Sequence, residues 1–177
     1  MLTNPDYSDI KSDETVVFFR TSAWLDEAGK VWNIPIHGWI YEPQNSTVRK
    51  AIAEEILEQK YDLTVDKTSK DNFDRRINLI IADNERGKRI IVRIGQQTFP
   101  LPQSKENGQF TDIIQLPVKA VDNLKQDNVL RFTTVMDPDD SRRYAGEVIL
   151  VPPDGISVIS DIDDTVKISE VTDHKKL

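Results

Sequence analysis

The sequence predicts a mainly β protein, a β-sandwich-like domain carrying one or two helices, on three observations. Compact runs of β-branched and aromatic residues recur at intervals of about 10 to 15 residues. Turn chemistry separates them, most clearly at Asn107-Gly108, a strong turn signal. Only two stretches of the chain carry apolar residues at helical spacing, and neither an internal repeat nor a low-complexity tract is present.

In chain order, residues 1–13 are polar and predict a mobile arm. Thr15-Val16-Val17-Phe18-Phe19 reads as a strand. Trp24 to Trp32 reads as a hairpin that turns at Glu27 to Lys30. The strand that follows, Trp32 to Tyr41, contains Pro35, which suggests an edge position or a bulge because proline cannot donate to a ladder. Ser46 or Thr47 caps a helix running to about Tyr61. Val48, Ile52 and Ile56 follow the i, i+4, i+8 spacing of one buried face, with Arg49, Lys50, Glu54, Glu55 and Glu58 on the other.

A polar linker covers 62–71. Phe73, Ile77, Ile80 and Ile81 then predict a second short helix over 72–82, with a strand as the alternative, since Ile-Asn-Leu-Ile-Ile also suits a sheet. Asp83 to Lys88 is a charged loop. Arg89 to Ile94 alternates as a half-buried strand does, and Gln97 to Leu101 is placed to pair with it across Gly95. Phe110 to Leu116, Val129 to Val135 and Gly146 to Val151 complete the strands, with an acidic turn at Asp137-Pro138-Asp139-Asp140.

Composition narrows the function classes. With 38% hydrophobic and 30% charged residues the 177-residue chain reads as an ordinary soluble domain, or as one domain plus a piece of another. A net charge of −7 argues against broad binding to nucleic acid or anionic membrane, though it leaves room for a small basic patch on a folded face. No apolar run reaches transmembrane length, and Met1 to Asp6 lacks the features of a signal peptide. The absence of cysteine removes disulfides and thiolate metal sites. A cytoplasmic or peripheral-membrane location is expected, with at most peripheral membrane contact and no nucleic-acid partner.

The chemistry-bearing stretch is Ile156-Ser157-Val158-Ile159-Ser160-Asp161-Ile162-Asp163-Asp164-Thr165-Val166. A short β-branched run bounded by Gly155 leads into two carboxylates spaced by two, which places Asp161 and Asp163 on one side of an extended chain. Converging carboxylates repel unless a cation lies between them, or unless one attacks while the other carries a proton. Asp161-Ile162-Asp163-Asp164-Thr165 resembles the DxDxT first motif of the haloacid-dehalogenase (HAD) phosphohydrolases. The longer run Pro152 to Lys167 resembles the APP1-like, Mg²⁺-dependent phosphatidate phosphatases. His37-Gly38-Trp39-Ile40-Tyr41-Glu42-Pro43 and Arg143-Tyr144-Ala145-Gly146-Glu147-Val148 resemble strands of that family's β-rich N-terminal domain.

The resemblance implies that Asp161 is the phosphoryl-accepting nucleophile, Asp163 the general acid/base, and Thr165 the residue that holds the loop and a substrate oxygen. It implies Mg²⁺ held by Asp161 and the backbone carbonyl of Asp163, with a phospholipid or other phosphomonoester as substrate. It also implies a β-rich accessory domain over 14–153, followed over 154–177 by the first strand of a truncated HAD-like α/β domain. The HAD pattern's phosphate-holding Ser/Thr, its lysine and its later acidic residues have no counterpart here, so these 177 residues are expected to fold as the β domain and to lack turnover. A non-catalytic β-sandwich binding module is the rival reading. An EF-hand is excluded, because Val166 and Thr172 stand where its loop needs Gly and Glu. His37 reads as structural, His174 as solvated. Trp24, Trp32 and Trp39 read as core, with an aromatic binding face as the alternative.

Overall fold

The computed structural model describes residues 6–44, 46–61, 70–154 and 160–161, and among these the chain is mainly β, with nine strands and three helices. Strand β1 is Thr15–Phe19, β2 Thr21–Leu25 and β3 Val31–Glu42. Helices α1, Thr47–Tyr61, and α2, Lys70–Ile80, come next. They are followed by β4 Asp83–Asn84, β5 Ile91–Ile94, β6 Gln97–Pro100 and β7 Gln109–Pro117. Helix α3, Val118–Asp122, precedes β8 Val129–Thr134 and β9 Ala145–Leu150. The run expected as the first HAD-like strand lies outside the described residues.

The chain divides into two compact units, a β unit of Met1–Glu42 with Asp83–Asp154, and a second unit of Pro43–Ala82 with Gly155–Leu177. The β domain expected over 14–153 is therefore interrupted by a helical insertion. Glu42 and Asp83 are register partners on β3 and β4, so the insertion leaves and re-enters the β unit at adjacent points. Closing a loop whose ends already touch adds little entropic cost to the host fold.

Within the β unit the strand order is β1-β3-β2-β9-β8-β5-β6, with β4 and β7 also on β3. Strand β2 serves both halves. Its Trp24 and Leu25 pair antiparallel with Asn33 and Trp32 of β3, while Thr21 to Ala23 run parallel to Val148 to Leu150 of β9. The apolar faces of both halves meet in a single core that includes Ile34, Ile36 and Ile40 of β3 and Val92, Leu130 and Val148 of β5, β8 and β9.

Strand β3 is central, not an edge, with β1 and β2 on one side and β7 on the other. Pro35 is accommodated because β1 ends at the Phe19–His37 pair and β2 starts at Trp24–Asn33, leaving a gap on that side. The Pro35 carbonyl points into the gap, where it accepts the Thr21 hydroxyl at 2.5 Å. In an antiparallel ladder the N–H and C=O of one residue point the same way, so the missing donor falls where no strand needs it.

The core is organised around glycines beneath aromatic rings. Gly38 of β3 is the register partner of Phe18 on β1 and of Phe110 on β7. The two rings meet edge to face over it, at 5.7 Å and 86°. In the opposite half Phe132 of β8 pairs with Gly146 of β9, and its ring meets Phe18 at 4.8 Å and 83°. Phe18 thus bridges the two halves.

The mobile arm expected over 1–13 is corrected from Ser8 onward, where the segment is hydrogen-bonded into the β unit. Ser8 and Asp9 donate backbone N–H groups to Val135 O and Arg89 O, both at 2.8 Å, and the buried Ser8 hydroxyl exchanges hydrogen bonds with the Ile91 backbone. Polar residues join the fold here through backbone pairing, which hydropathy does not register.

In the helical insertion Ser46 caps α1, its hydroxyl accepting the Arg49 N–H at 3.3 Å. The expected buried stripe of α1 is not buried: Val48, Ile52 and Ile56 are 67%, 51% and 51% exposed. The better-covered positions are Lys50, Ala53 and Glu54, and Glu54 ion-pairs with Lys70 at the start of α2. The covered side of α1 is thus not its apolar stripe. The second stretch is a helix as expected, with Ile77 buried and Ile80 77% exposed.

A Cβ at Gly38 would press into the Phe110 ring and stand 2.8 Å from Val17 O, a backbone atom that cannot move aside cheaply. At Gly146 it would press only on the Phe132 ring. Gly38→Ala is expected to lower stability by about 3 kcal/mol, more than Gly146→Ala, with partial recovery in Gly38→Ala/Phe110→Leu. Urea unfolding of the four proteins, wild type included, checks this.

Candidate functional site

Of the residues expected to carry chemistry, the structure describes Asp161, while Asp163 and Thr165 lie outside the described residues. Asp161 is exposed, and the Ser160 hydroxyl donates to its backbone carbonyl at 2.9 Å. An exposed carboxylate is a hard oxygen donor of the kind Mg²⁺ takes, one or two at a time, while keeping several waters. The chemistry of this one described member of the expected set therefore fits the ion. Among the described residues no group of three or more His, Cys, Asp or Glu side chains is arranged to hold a metal. No helix among them is long and apolar enough to cross a membrane.

The other candidates take structural places. His37 is half-buried with its ring 4.7 Å from Phe19. Of the three tryptophans only Trp32 is in the core. Trp39 stacks on Tyr41 at 4.1 Å and donates its Nε1–H to Asn84 at 2.8 Å, while Trp24 is 47% exposed. Trp24 lines an open cleft with Leu25, Val151, Pro152 and Pro153.

Two polar assemblies in the β unit had no signature in the sequence. In the first, the Glu14 carboxylate is almost fully buried and lies 2.7 Å from the buried Lys88 ammonium, with the Lys11 backbone N–H donating to its other oxygen at 2.8 Å. Burial pushes the Glu14 carboxyl up, but the Lys88 ammonium and the Lys11 N–H together hold it below the usual carboxylate range. Glu85 is shifted the other way, raised by burial and by the neighbouring Glu14. Both ammonium groups that ion-pair here, Lys88 at 2.7 Å and Lys11 at 3.6 Å, lie on Glu14, so Glu14 is the better compensated of the two carboxylates.

In the second, the Arg142 guanidinium pairs with Asp140 at 2.6 Å and donates to the carbonyls of Ile10, Ser12 and Glu14 at 3.3, 3.2 and 2.8 Å. Tyr144 donates its hydroxyl to Glu14 O at 3.1 Å. Asp140 is held below the usual carboxylate range by the Arg142 guanidinium. The acidic stretch is otherwise a capped turn, Asp137 Oδ1 accepting the Asp139 N–H at 3.0 Å. Beside it lies a half-open cleft of about 200 Å³, lined by Arg93, Thr133, Asp137, Arg142 and Arg143 among others.

Comparison with protein-family models, with curated proteins and with solved structures returns no match for this chain.

Breaking a buried ion pair leaves an uncompensated charge at a cost of about 3 kcal/mol or more. Glu14→Gln and Lys88→Met are each expected to lose about that much at pH 7. The stability that ionised Glu14 lends is in place above its unfolded-state pKa of about 4.3 and is lost as pH falls through its lower folded value. The gap between wild type and Glu14→Gln should therefore close toward pH 3. Glu85 has the opposite sign, its raised folded pKa making ionisation cost stability as pH rises, so Glu85→Gln should hold or raise the Tm at pH 7. Thermal unfolding between pH 3 and 7 reads all three.

Proposed function

We propose that the chain carries the nucleophile motif of a Mg²⁺-dependent phosphomonoesterase of the HAD type, with phosphatidate as the substrate to test first. The observation that carries this reading is the β-branched run Ile156 to Ile159 entering Asp161, Asp163 and Thr165 at alternate positions. The exposure of residue Asp161 is compatible with it, since a nucleophile must be reached by substrate. The choice of lipid rests on the family resemblance of residues 152–167.

In this mechanism an ionised Asp161 oxygen attacks phosphorus in line with the ester oxygen, and the P–O bond to the alcohol breaks. Asp163 gives its proton to the departing alkoxide, leaving an aspartyl-phosphate on Asp161. The same Asp163, now a base, removes a proton from water as the water's oxygen attacks phosphorus, which frees inorganic phosphate and restores both residues. Thr165 holds the loop and a phosphoryl oxygen. A Mg²⁺ ion bound by Asp161 and the Asp163 carbonyl would supply the positive charge that lets an anion approach a phosphate.

The rival is a non-catalytic module. The observation that favours it is that the β unit has a hydrophobic core of its own.

Phosphate release from phosphatidate, with Mg²⁺ and with EDTA, separates the two. It is measured on the 177-residue chain and on the full natural reading frame that contains it, each with and without Asp161→Asn. The expected result is no release from the 177 residues alone. From the full frame it is Mg²⁺-dependent release that falls at least about a thousandfold in Asp161→Asn. Full-frame release that survives Asp161→Asn, or no release at all, overturns the phosphatase reading.

A further inference from the structure

The β unit contains seven arginines. Five are engaged: Arg20 and Arg131 share Glu147, Arg86 faces Glu106, Arg142 holds Asp140, and Arg89 has a partner of its own. The guanidinium groups of the remaining two, Arg93 and Arg143, make neither a hydrogen bond nor an ion pair among the described residues, and both residues line the cleft beside the acidic turn.

The sheet puts them there. Arg93 of β5 is the register partner of Thr133 on β8, which in turn pairs with Ala145 at the start of β9. Arg143 lies two residues before Ala145, in the segment leading into β9, and lines the cleft together with Arg93 and Thr133. Arg93, Thr133, Arg143 and Ala145 are all exposed, while Val92, Phe132 and Gly146 beside them are buried. Of the cleft's other charges, Arg142 and Asp140 neutralise each other, and Asp137 caps its own turn. Two guanidinium groups against one carboxylate remain, in a chain whose net charge is −7.

We propose that this cleft binds a phosphoryl dianion, with Arg93 and Arg143 as the two charged donors and the Thr133 hydroxyl as a third. Two like charges on one cleft repel until an anion joins them, and the planar fork of arginine matches phosphoryl oxygens in pairs. The volume of about 200 Å³ is smaller than the roughly 300–1,000 Å³ that encloses a whole organic ligand, so the cleft takes a charged head and leaves the rest of the molecule outside. Both a lipid phosphomonoester and free phosphate present that chemistry. The site needs neither Asp161 nor a divalent ion, so it stands apart from the phosphatase reading.

The test uses the full 177-residue chain in EDTA. Inorganic phosphate is titrated while the amide resonances of Thr133 and Arg143 are followed, and co-sedimentation is measured with phosphatidylcholine vesicles with and without phosphatidate. Arg93→Gln/Arg143→Gln is compared with Arg20→Gln/Arg131→Gln, which removes the same charge from paired positions. Loss of two charge-assisted hydrogen bonds should weaken binding at least about tenfold in the first double variant and far less in the second. Resonance shifts with inorganic phosphate identify a site for the free ion; sedimentation with phosphatidate vesicles and no such shifts identifies a lipid head group. No binding to either probe, or equal weakening in the two double variants, overturns the proposal.

Discussion

The β unit depends on one steric constraint, the need for three phenylalanine rings to meet at its centre. Phe18 contacts Phe110 from its own half and Phe132 from the other, and each of those two rings lies over a glycine on a neighbouring strand. A side chain at Gly38 or Gly146 would occupy the ring's volume. The two halves of the sheet approach closely only because those positions are empty of a Cβ, and close approach gives the surrounding isoleucines, valines and leucines a dry interior to share.

A second constraint is electrostatic and closes the fold from the N-terminal side. Glu14 enters the interior only because Lys88 comes with it, and Arg142 gathers three carbonyls of the preceding segment while held by Asp140. These contacts join residues 8–14 to β5, β8 and the approach to β9, segments far apart in sequence. An ion pair of this kind does not add much net stability over an apolar substitute, but once built it is intolerant of losing either member.

The cleft follows from the same construction. Arg142 is consumed in fastening the N-terminal segment, while the guanidinium of its neighbour Arg143 makes no ion pair among the described residues. Arg93 reaches the same place through the β5–β8 register. A surface feature of opposite sign to the chain's net charge thus arises where that register meets the segment leading into β9.

The sequence by itself determined where most strands lie, because β-branched runs and turn residues act over a few neighbours. Thr15–Phe19 and the Asn107-Gly108 turn, where Gly108 adopts φ 72°, are legible without any partner. It also determined the alternate spacing of Asp161, Asp163 and Thr165. Properties that need a second segment were left to the tertiary structure. Pro35 could sit in a central strand only because two neighbours leave a gap beside it. The α1 stripe was apolar yet exposed, because amphipathicity specifies a face and not what covers it. The burial of Glu14, the short helix α3 and the pairing of Arg93 with Arg143 in one cleft left no trace in local pattern. Long-range register decides which side chains meet, and register is a property of two strands together.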